Sequence, residues 1–333
     1  MASCSLETKG RQLMTRVYAA VDLGGTNTAC ALGHVDGTIL CERTDPTYSH
    51  EGPDAVLERI ASVLKDMASA AGEEPVALGI GAPGLVDRAA GTTLFLPNLP
   101  GQWRNVPVAA TLGSRLGCPV YLLNDVRTAT LGELTYGAGA RTGSLVFLSV
   151  GTGIGGGVVI DGKLRLGPFG AAGELGHQTI LPDGLLCGCG SRGCLETLAS
   201  GPAISAEGVR LLRCGLAPRL HQMVGGRSDY VTPKEMKAAA EAGDDAVRAA
   251  LVRAATYLGI AVANAILMLH PELVVLGGGV SALGPILIDT VKSTVRERVT
   301  MFPLDGIRIE QSPLGDKAGI YGAIALATRC GQV

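Results

Sequence analysis

The chain has 333 residues, 47% of them hydrophobic and 17% charged, which is length for two domains and apolar content enough for a buried core, so disorder is excluded. Its 28 basic and 30 acidic side chains leave a formal net charge of -2, without the electrostatic footprint that nucleic acid or an anionic membrane requires. Forty-eight glycines stand beside 1 Trp, 7 Tyr and 4 Phe with no G-X-Y period, so glycine must serve turns, close helix packing or the approach of backbone to a ligand.

The first sixteen residues are polar, and the apolar stretch from Val17 stops at Asp22, too short for a signal-peptide core. Strands are predicted at Val17 to Leu23, Thr28 to Gly33, Val76 to Ala82, Pro119 to Leu123, Ser144 to Val150, Gly156 to Ile160, Leu273 to Leu276 and Ile307 to Gln311. Helical patterns lie between and after them at about 53–71, 106–117, 126–137, 196–213, 233–242, 244–269, 284–299 and 316–329. Pro53 opens the first helix with its fixed φ, and Ala55, Ile60, Val63 and Leu64 form its apolar stripe. Alternation of strand and helix gives an α/β class. The longest apolar run, Ala254 to Leu269, contains Thr256, Tyr257 and Asn264 and falls short of the roughly 20 residues of a membrane span, so it reads as a core helix. Of nine cysteines, Cys4, Cys30, Cys41, Cys118, Cys214 and Cys330 are scattered as reduced cytosolic thiols would be, which points to the cytoplasm; only Cys187, Cys189 and Cys194 cluster.

Two segments echo each other. VDLGGTNTACALGHVDG from Val21 and LSVGTGIGGGVVIDG from Leu148 both read as apolar strand, polar-and-glycine loop, apolar strand and Asp-Gly turn. Two such hairpins imply two related halves. Asp22, Gly24, Gly25, Thr26 and Asn27 in one loop, and Gly151, Thr152 and Gly153 in the other, have what a nucleotide phosphate tail needs: backbone N–H donors, hydroxyls, and in Asp22 a carboxylate to hold a metal ion through water. They match neither the Walker nor the Rossmann fingerprint, and each alone reads more readily as a structural turn. A third cluster, Gly277, Gly278 and Gly279, follows the strand-like LVVL, and the three together favour a nucleotide site.

Asn124 and Asp125 fall at the carboxyl end of an apolar strand and the start of a helix, where ligands bind in open α/β sheets and where a helix cap is equally at home. His177, Cys187, Cys189 and Cys194 offer one imidazole and three thiolates within eighteen positions, a closed tetrahedral set that suits structural Zn²⁺. Glu174, three residues before His177, and Glu196, two past Cys194, would be placed by the same loop, and Glu174 with the second imidazole nitrogen would grip neighbouring hydroxyls of a polyol.

These motifs together resemble the ROK family, named for repressors, open reading frames and kinases, and within it the bacterial glucokinase type. The resemblance runs from about Val17 to Ala327 and is carried by DLGGTN at 22–27, LLND at 122–125, SVGTGIGGGVV at 149–159, GELGH at 173–177, CGCGSRGCLE at 187–196 and LGGG at 276–279. It implies an actin-like ATPase (ribonuclease H-like) fold, two α/β domains around a cleft. The boundaries expected are a small domain over 1–123 with about 312–333, carrying the first phosphate loop, and a large one over 124–311 with the second phosphate loop, the zinc loop and the adenosine loop. It implies ATP-dependent phosphorylation of the 6-hydroxyl of glucose, or of another hexose or N-acetylhexosamine, with ATP, Mg²⁺ and structural Zn²⁺. Asp125 would be the general base, and Gly84, Asn98, Asn124, Glu174, His177 and Glu196 would contact sugar. Gly24 to Asn27 and Gly151 to Gly153 would hold phosphates, Gly277 to Gly279 the adenosine, and His177, Cys187, Cys189 and Cys194 the zinc. A homodimer or homotetramer is implied. The family's repressors place a helix-turn-helix domain of many tens of residues before the first phosphate loop; here 21 residues precede Asp22, so no nucleic-acid partner is expected.

Overall fold

The computed structural model describes residues 16–96 and 99–333. In chain order its strands are β1 (Tyr18–Leu23), β2 (Asn27–Gly33), β3 (Ile39–Pro46), β4 (Leu78–Ala82), β5 (Leu85–Asp87), β6 (Thr92–Phe95), β7 (Val120–Asn124), β8 (Leu145–Val150), β9 (Ile154–Ile160), β10 (Lys163–Leu164), β11 (Leu273–Gly277) and β12 (Arg308–Gln311). Its α-helices are α1 (Pro53–Ala71), α2 (Val108–Leu116), α3 (Asp125–Tyr136), α4 (Glu196–Ala199), α5 (Gly201–Arg213), α6 (Pro218–Val224), α7 (Pro233–Glu241), α8 (Asp245–Leu269), α9 (Pro285–Arg298) and α10 (Ala318–Thr328).

These elements form two units: one of residues up to Arg141 with Gly162–Ala172 and Lys317–Val333, the other of Thr142–Asp161 and Gly173–Asp316. The expected division after residue 123 is thus corrected to one after Arg141, because α3 packs against α10 and not with the helices of the second unit. Both units repeat one plan. In the first, the sheet order is β3-β2-β1-β4-β7, with β1 to β3 an antiparallel meander and β4 and β7 parallel to β1. In the second the order β9-β8-β11-β12 again starts from an antiparallel hairpin and continues with parallel strands. The repeated hairpins read in the sequence are therefore equivalent positions of a duplicated topology.

Local chemistry explains the helices. α1 begins after Gly52 with Pro53 and Asp54, buries Val56, Leu57, Ile60 and Leu64, and stops at Gly72, whose φ of 69° lets its N–H bond the carbonyl of Ala68. α8 has the length and apolarity of a membrane span, yet Leu251, Ala255, Leu258, Val262 and Ile266 are fully buried in the core of the second unit. The continuous helix predicted over 196–213 is broken. Ser200 takes an extended conformation, and its hydroxyl accepts the Ala203 N–H as the cap of α5, with Pro202 just inside the new helix. β3 escapes the hydrophobic pattern because it is an edge strand with alternate residues in solvent.

Where α3 crosses α10, two glycines let the backbones meet. A Cβ on Gly322 would lie 1.7 Å from the Thr128 carbonyl oxygen, and one on Gly132 would lie 2.4 Å from that of Ala318. Gly322→Ala gains about 1 kcal/mol of helix propensity. Overpacking costs about 1–3 kcal/mol, and contact with unyielding backbone places this site at the upper end. Calorimetry is expected to show Tm lowered by roughly 4–8 °C; an unchanged Tm would mean the helices can separate at no cost.

Candidate active site

In the first unit, the turn between β1 and β2 is closed by the Leu23–Thr28 pair and by the Gly24 N–H on the Asn27 carbonyl at 2.9 Å. Thr47 holds the Gly24 carbonyl at 2.8 Å and Ser49 that of Gly25 at 3.2 Å, which pins the loop from below while Thr26 and Asn27 stay exposed. Asp22, at the end of β1, abuts the start of α10: a Cβ on Gly319 would come within 2.1 Å of its carboxylate. Burial, and secondly the charge of Asp125, push the Asp22 carboxyl up to about 7. A carboxylate that ionises so reluctantly is one that a cation would stabilise.

β7 delivers Asn124 and Asp125 together. Asn124 caps α3, its Oδ1 accepting the Arg127 backbone N–H at 3.1 Å, and its Nδ2 donates to the Gly84 carbonyl at 3.0 Å and to Asp125 Oδ1 at 2.8 Å. Asp125 Oδ1 also accepts the Val126 N–H at 2.8 Å. The cap of α3 and the candidate ligand position are thus the same turn. A cavity of about 360 Å³ adjoins this turn, lined among others by Gly84, Arg88, Leu123, Asn124, Leu166 and Phe169. Phe169 stands 80% exposed with φ at 59°, a left-handed conformation unusual for an aromatic residue. Gly84 meets Asn124 through its carbonyl; Asn98 lies outside the described residues. Lys317 pairs with Glu42 at the surface.

The second unit gathers its own set. The Gly151 N–H bonds the Gly153 carbonyl at 2.9 Å to close the turn, and the Gly151 carbonyl accepts the N–H of Gly201 at the start of α5 at 2.8 Å. Gly278, with φ 79°, lies against Val150, where a Cβ would meet backbone at 2.5 Å, so the Gly277–Gly279 turn adjoins the Gly151–Gly153 turn. Glu196 Oε2 accepts the Ile154 N–H at 2.8 Å, and its Oε1 lies 3.9 Å from Cys187 Sγ. Gly176 packs on Ile154 so closely that a Cβ would strike its carbonyl at 1.8 Å, which sets the turn of Glu174 and His177 beside the same strand.

The ligand atoms of His177, Cys187, Cys189 and Cys194 all lie within 4.8 Å of one another. Cys187 Sγ is 3.7 Å from His177 Nδ1, and Cys189 Sγ is 3.7 Å from Cys194 Sγ. Zn–S bonds near 2.3 Å at the tetrahedral angle would put two sulfurs about 3.8 Å apart. The donor set and spacing fit. Burial pushes the Cys194 thiol up to about 12 and raises that of Cys187, while the Ser191 N–H lowers Cys189. A cation would stabilise the thiolate forms of Cys187 and Cys194, which burial otherwise disfavours.

Sequence reasoning passed over Arg127, which is 2% exposed and donates from Nη1 to Asn124 Oδ1 at 3.1 Å and from Nη2 to the Ala172 carbonyl at 3.0 Å. An arginine in a helical pattern normally faces solvent; a signal was its place on the first helical turn, where cations are disfavoured.

A sequence profile of the ROK family matches residues 18–330. The glucokinase of Thermotoga maritima is 38% identical over 309 residues, which cover 92% of this chain and 95% of that protein. The xylose repressor of Caldicellulosiruptor bescii is 31% identical over 92% of this chain and 76% of its own length. Among solved structures, the ROK glucokinase of Streptomyces griseus in complex with glucose and AMPPNP superposes with a TM-score of 0.82 at 33% identity, covering 94% of this chain and 99% of that one. The chain belongs to the ROK family and has its actin-like ATPase fold.

Proposed function

We propose that the protein transfers the terminal phosphoryl group of ATP to the 6-hydroxyl of glucose. The observation that carries this reading is the Asn124–Asp125 turn, a carboxylate held at the start of a helix beside a cavity large enough for a hexose. The likeness to glucokinases over nearly the whole chain supports the substrate. In this reading Asp125 accepts the hydroxyl proton, and Asn124, Glu174, His177 and Glu196 contact the sugar. The backbone donors of Gly24–Asn27 and Gly151–Gly153 bind phosphate, and the open surface of Gly277–Gly279 takes the adenosine. Phosphoryl transfer passes through a loose transition state, so positioning of the hydroxyl and stabilisation of spread negative charge supply most of the rate. Mg²⁺, held with help from Asp22, would neutralise phosphate charge and would favour the ionised form of Asp22, which burial and, secondly, the charge of Asp125 disfavour.

His177, Cys187, Cys189 and Cys194 would hold structural Zn²⁺. Four protein ligands leave the ion no open position for water, so its part is to shape the loop. With Nδ1 facing the thiols, Nε2–H of His177 becomes a fixed donor toward the sugar. A reducing, cytoplasmic setting suits the other cysteines, which are scattered along the sequence without a pairing pattern.

The test is an ADP-release assay over a panel of hexoses and N-acetylhexosamines. Glucose is expected to give the highest kcat/KM. Another sugar in first place would overturn the substrate, and no turnover with any of them would overturn the kinase reading in favour of a sugar-responsive regulator.

A further inference from the structure

We infer that Arg127 is a positioning residue of the transfer site, acting through Asn124 and through the wall of the cavity; this rests on the reading of Asn124 and Asp125 given above. Its location is otherwise unfavourable. A helix N-terminus carries partial positive charge, and burying a guanidinium costs several kcal/mol unless its donors are well placed. Arg127 sits on the first turn of α3, fully covered, and its contacts are what offset that cost.

One arm sets the orientation of an amide. Asn124 Oδ1 receives two donors, the Arg127 backbone N–H and Nη1, both at 3.1 Å. Turned over, the Asn124 side chain would aim N–H groups at these donors and its oxygen at the Gly84 carbonyl and the Asp125 carboxylate. The two bonds from Arg127 thus commit Nδ2 to donating to Asp125 Oδ1 at 2.8 Å and Gly84 at 3.0 Å. The capping N–H alone is a single weak neutral bond; the charge-assisted one from Nη1 strengthens the preference. Through this amide, Arg127 decides how the carboxylate of Asp125 is presented.

The other arm reaches the cavity wall. Nη2 donates to the carbonyl of Ala172 at 3.0 Å, at the end of the segment Gly162–Ala172. Leu166, Gly167, Phe169 and Gly170 of that segment line the cavity along with Asn124 and Gly84. One planar guanidinium therefore ties the turn that carries the base to the segment that bounds the sugar. A lysine ammonium has the charge but is a single point, and it cannot keep both bonds in these directions.

The experiment uses the full-length enzyme with Arg127→Met and Arg127→Lys, folding being checked by circular dichroism and Tm. Arg127→Met is expected to lose roughly 10- to 100-fold in kcat/KM for glucose, with KM for ATP within about threefold, since displacement of a reacting group by about 1 Å has effects of that size. Arg127→Lys should recover part of the loss. Guanidinium at roughly 10–50 mM should raise the activity of Arg127→Met, a response that neither the wild-type enzyme nor Asp125→Asn shows, which separates positioning from a merely structural part. Wild-type kinetics in both variants, or lowered Tm with unchanged kinetic constants per folded molecule, would overturn the inference. Should Arg127→Met not fold, the kinetics of Arg127→Lys decide: glucose kcat/KM equal to wild type overturns it. An active Asp125→Asn would instead sink the underlying reading, whereas inactive Asp125→Asn beside fully active Arg127 variants would remove this inference alone.

Discussion

Asp125→Asn is expected to lower kcat by about 10²- to 10⁴-fold, the usual contribution of a general base, while glucose binding remains measurable by calorimetry. The geometry explains why the two effects should separate. Asp125 Oδ1 accepts from Val126 N–H and Asn124 Nδ2, and an asparagine oxygen can accept both bonds, so the turn and the cap of α3 persist. What is lost is the capacity to take a proton. A thousandfold loss corresponds to about 4 kcal/mol on the barrier, far beyond what a small shift of the sugar in its cavity would produce. Unchanged kcat would refute the assignment of the base; a loss of binding as large as the loss of turnover would make Asp125 a sugar ligand only.

The second large effect concerns the metal loop. Elemental analysis of the purified protein is expected to find about one zinc per chain, and Cys194→Ser should abolish it. Cys194 is completely buried, and its backbone is bridged to Thr179. Gly193 beside it has φ 65° and approaches the Leu181 carbonyl so closely that a Cβ would lie 1.5 Å away. The loop is thus wound tightly about its ligands, with few apolar contacts of its own: Leu185 and Leu186 are 68% and 64% exposed. Losing the ion should cost about 4 kcal/mol and lower Tm by roughly 8–16 °C for a unit of this size. Glucose affinity should fall with it, because in the proposed reading His177 serves both the metal and the sugar and Glu196 follows Cys194 by two residues. Absence of zinc from the pure protein, or an unaltered Tm in Cys194→Ser, would refute the metal assignment.

Both predictions concern residues that stood out in the sequence because their chemistry is local. A Cys-x-Cys with a third cysteine five residues on needs no long-range partner to be recognised, and it needs only His177 to complete a four-ligand set. The hairpins were legible for the same reason: Gly24 to Asn27 and Gly151 to Gly153 each sit between two apolar strands that pair with their immediate neighbours. Elements that depend on context were not. The β5–β6 hairpin is built from strands of three and four residues, too short for a period-two pattern to register. α6, seven residues long, is held by Asp244, whose carboxylate accepts the Arg219 and Leu220 N–H groups from twenty-odd residues away. α3 looked like the start of the second domain because the chain order says so; packing of Gly132 and Gly322 assigns it to the first.

The sequence by itself determined the α/β class, the duplicated hairpins, the clustering of His177 with three cysteines and the ND turn, since each rests on hydrogen-bonding and packing rules that act within about twenty residues. Tertiary structure alone decided which way the Asn124 amide points, that Arg127 is buried, and that Asp22 faces the beginning of α10 from nearly three hundred residues away. Such choices are made by burial and by a few directional bonds between distant segments. A residue's type records its capacity for those bonds, and the fold supplies the partner.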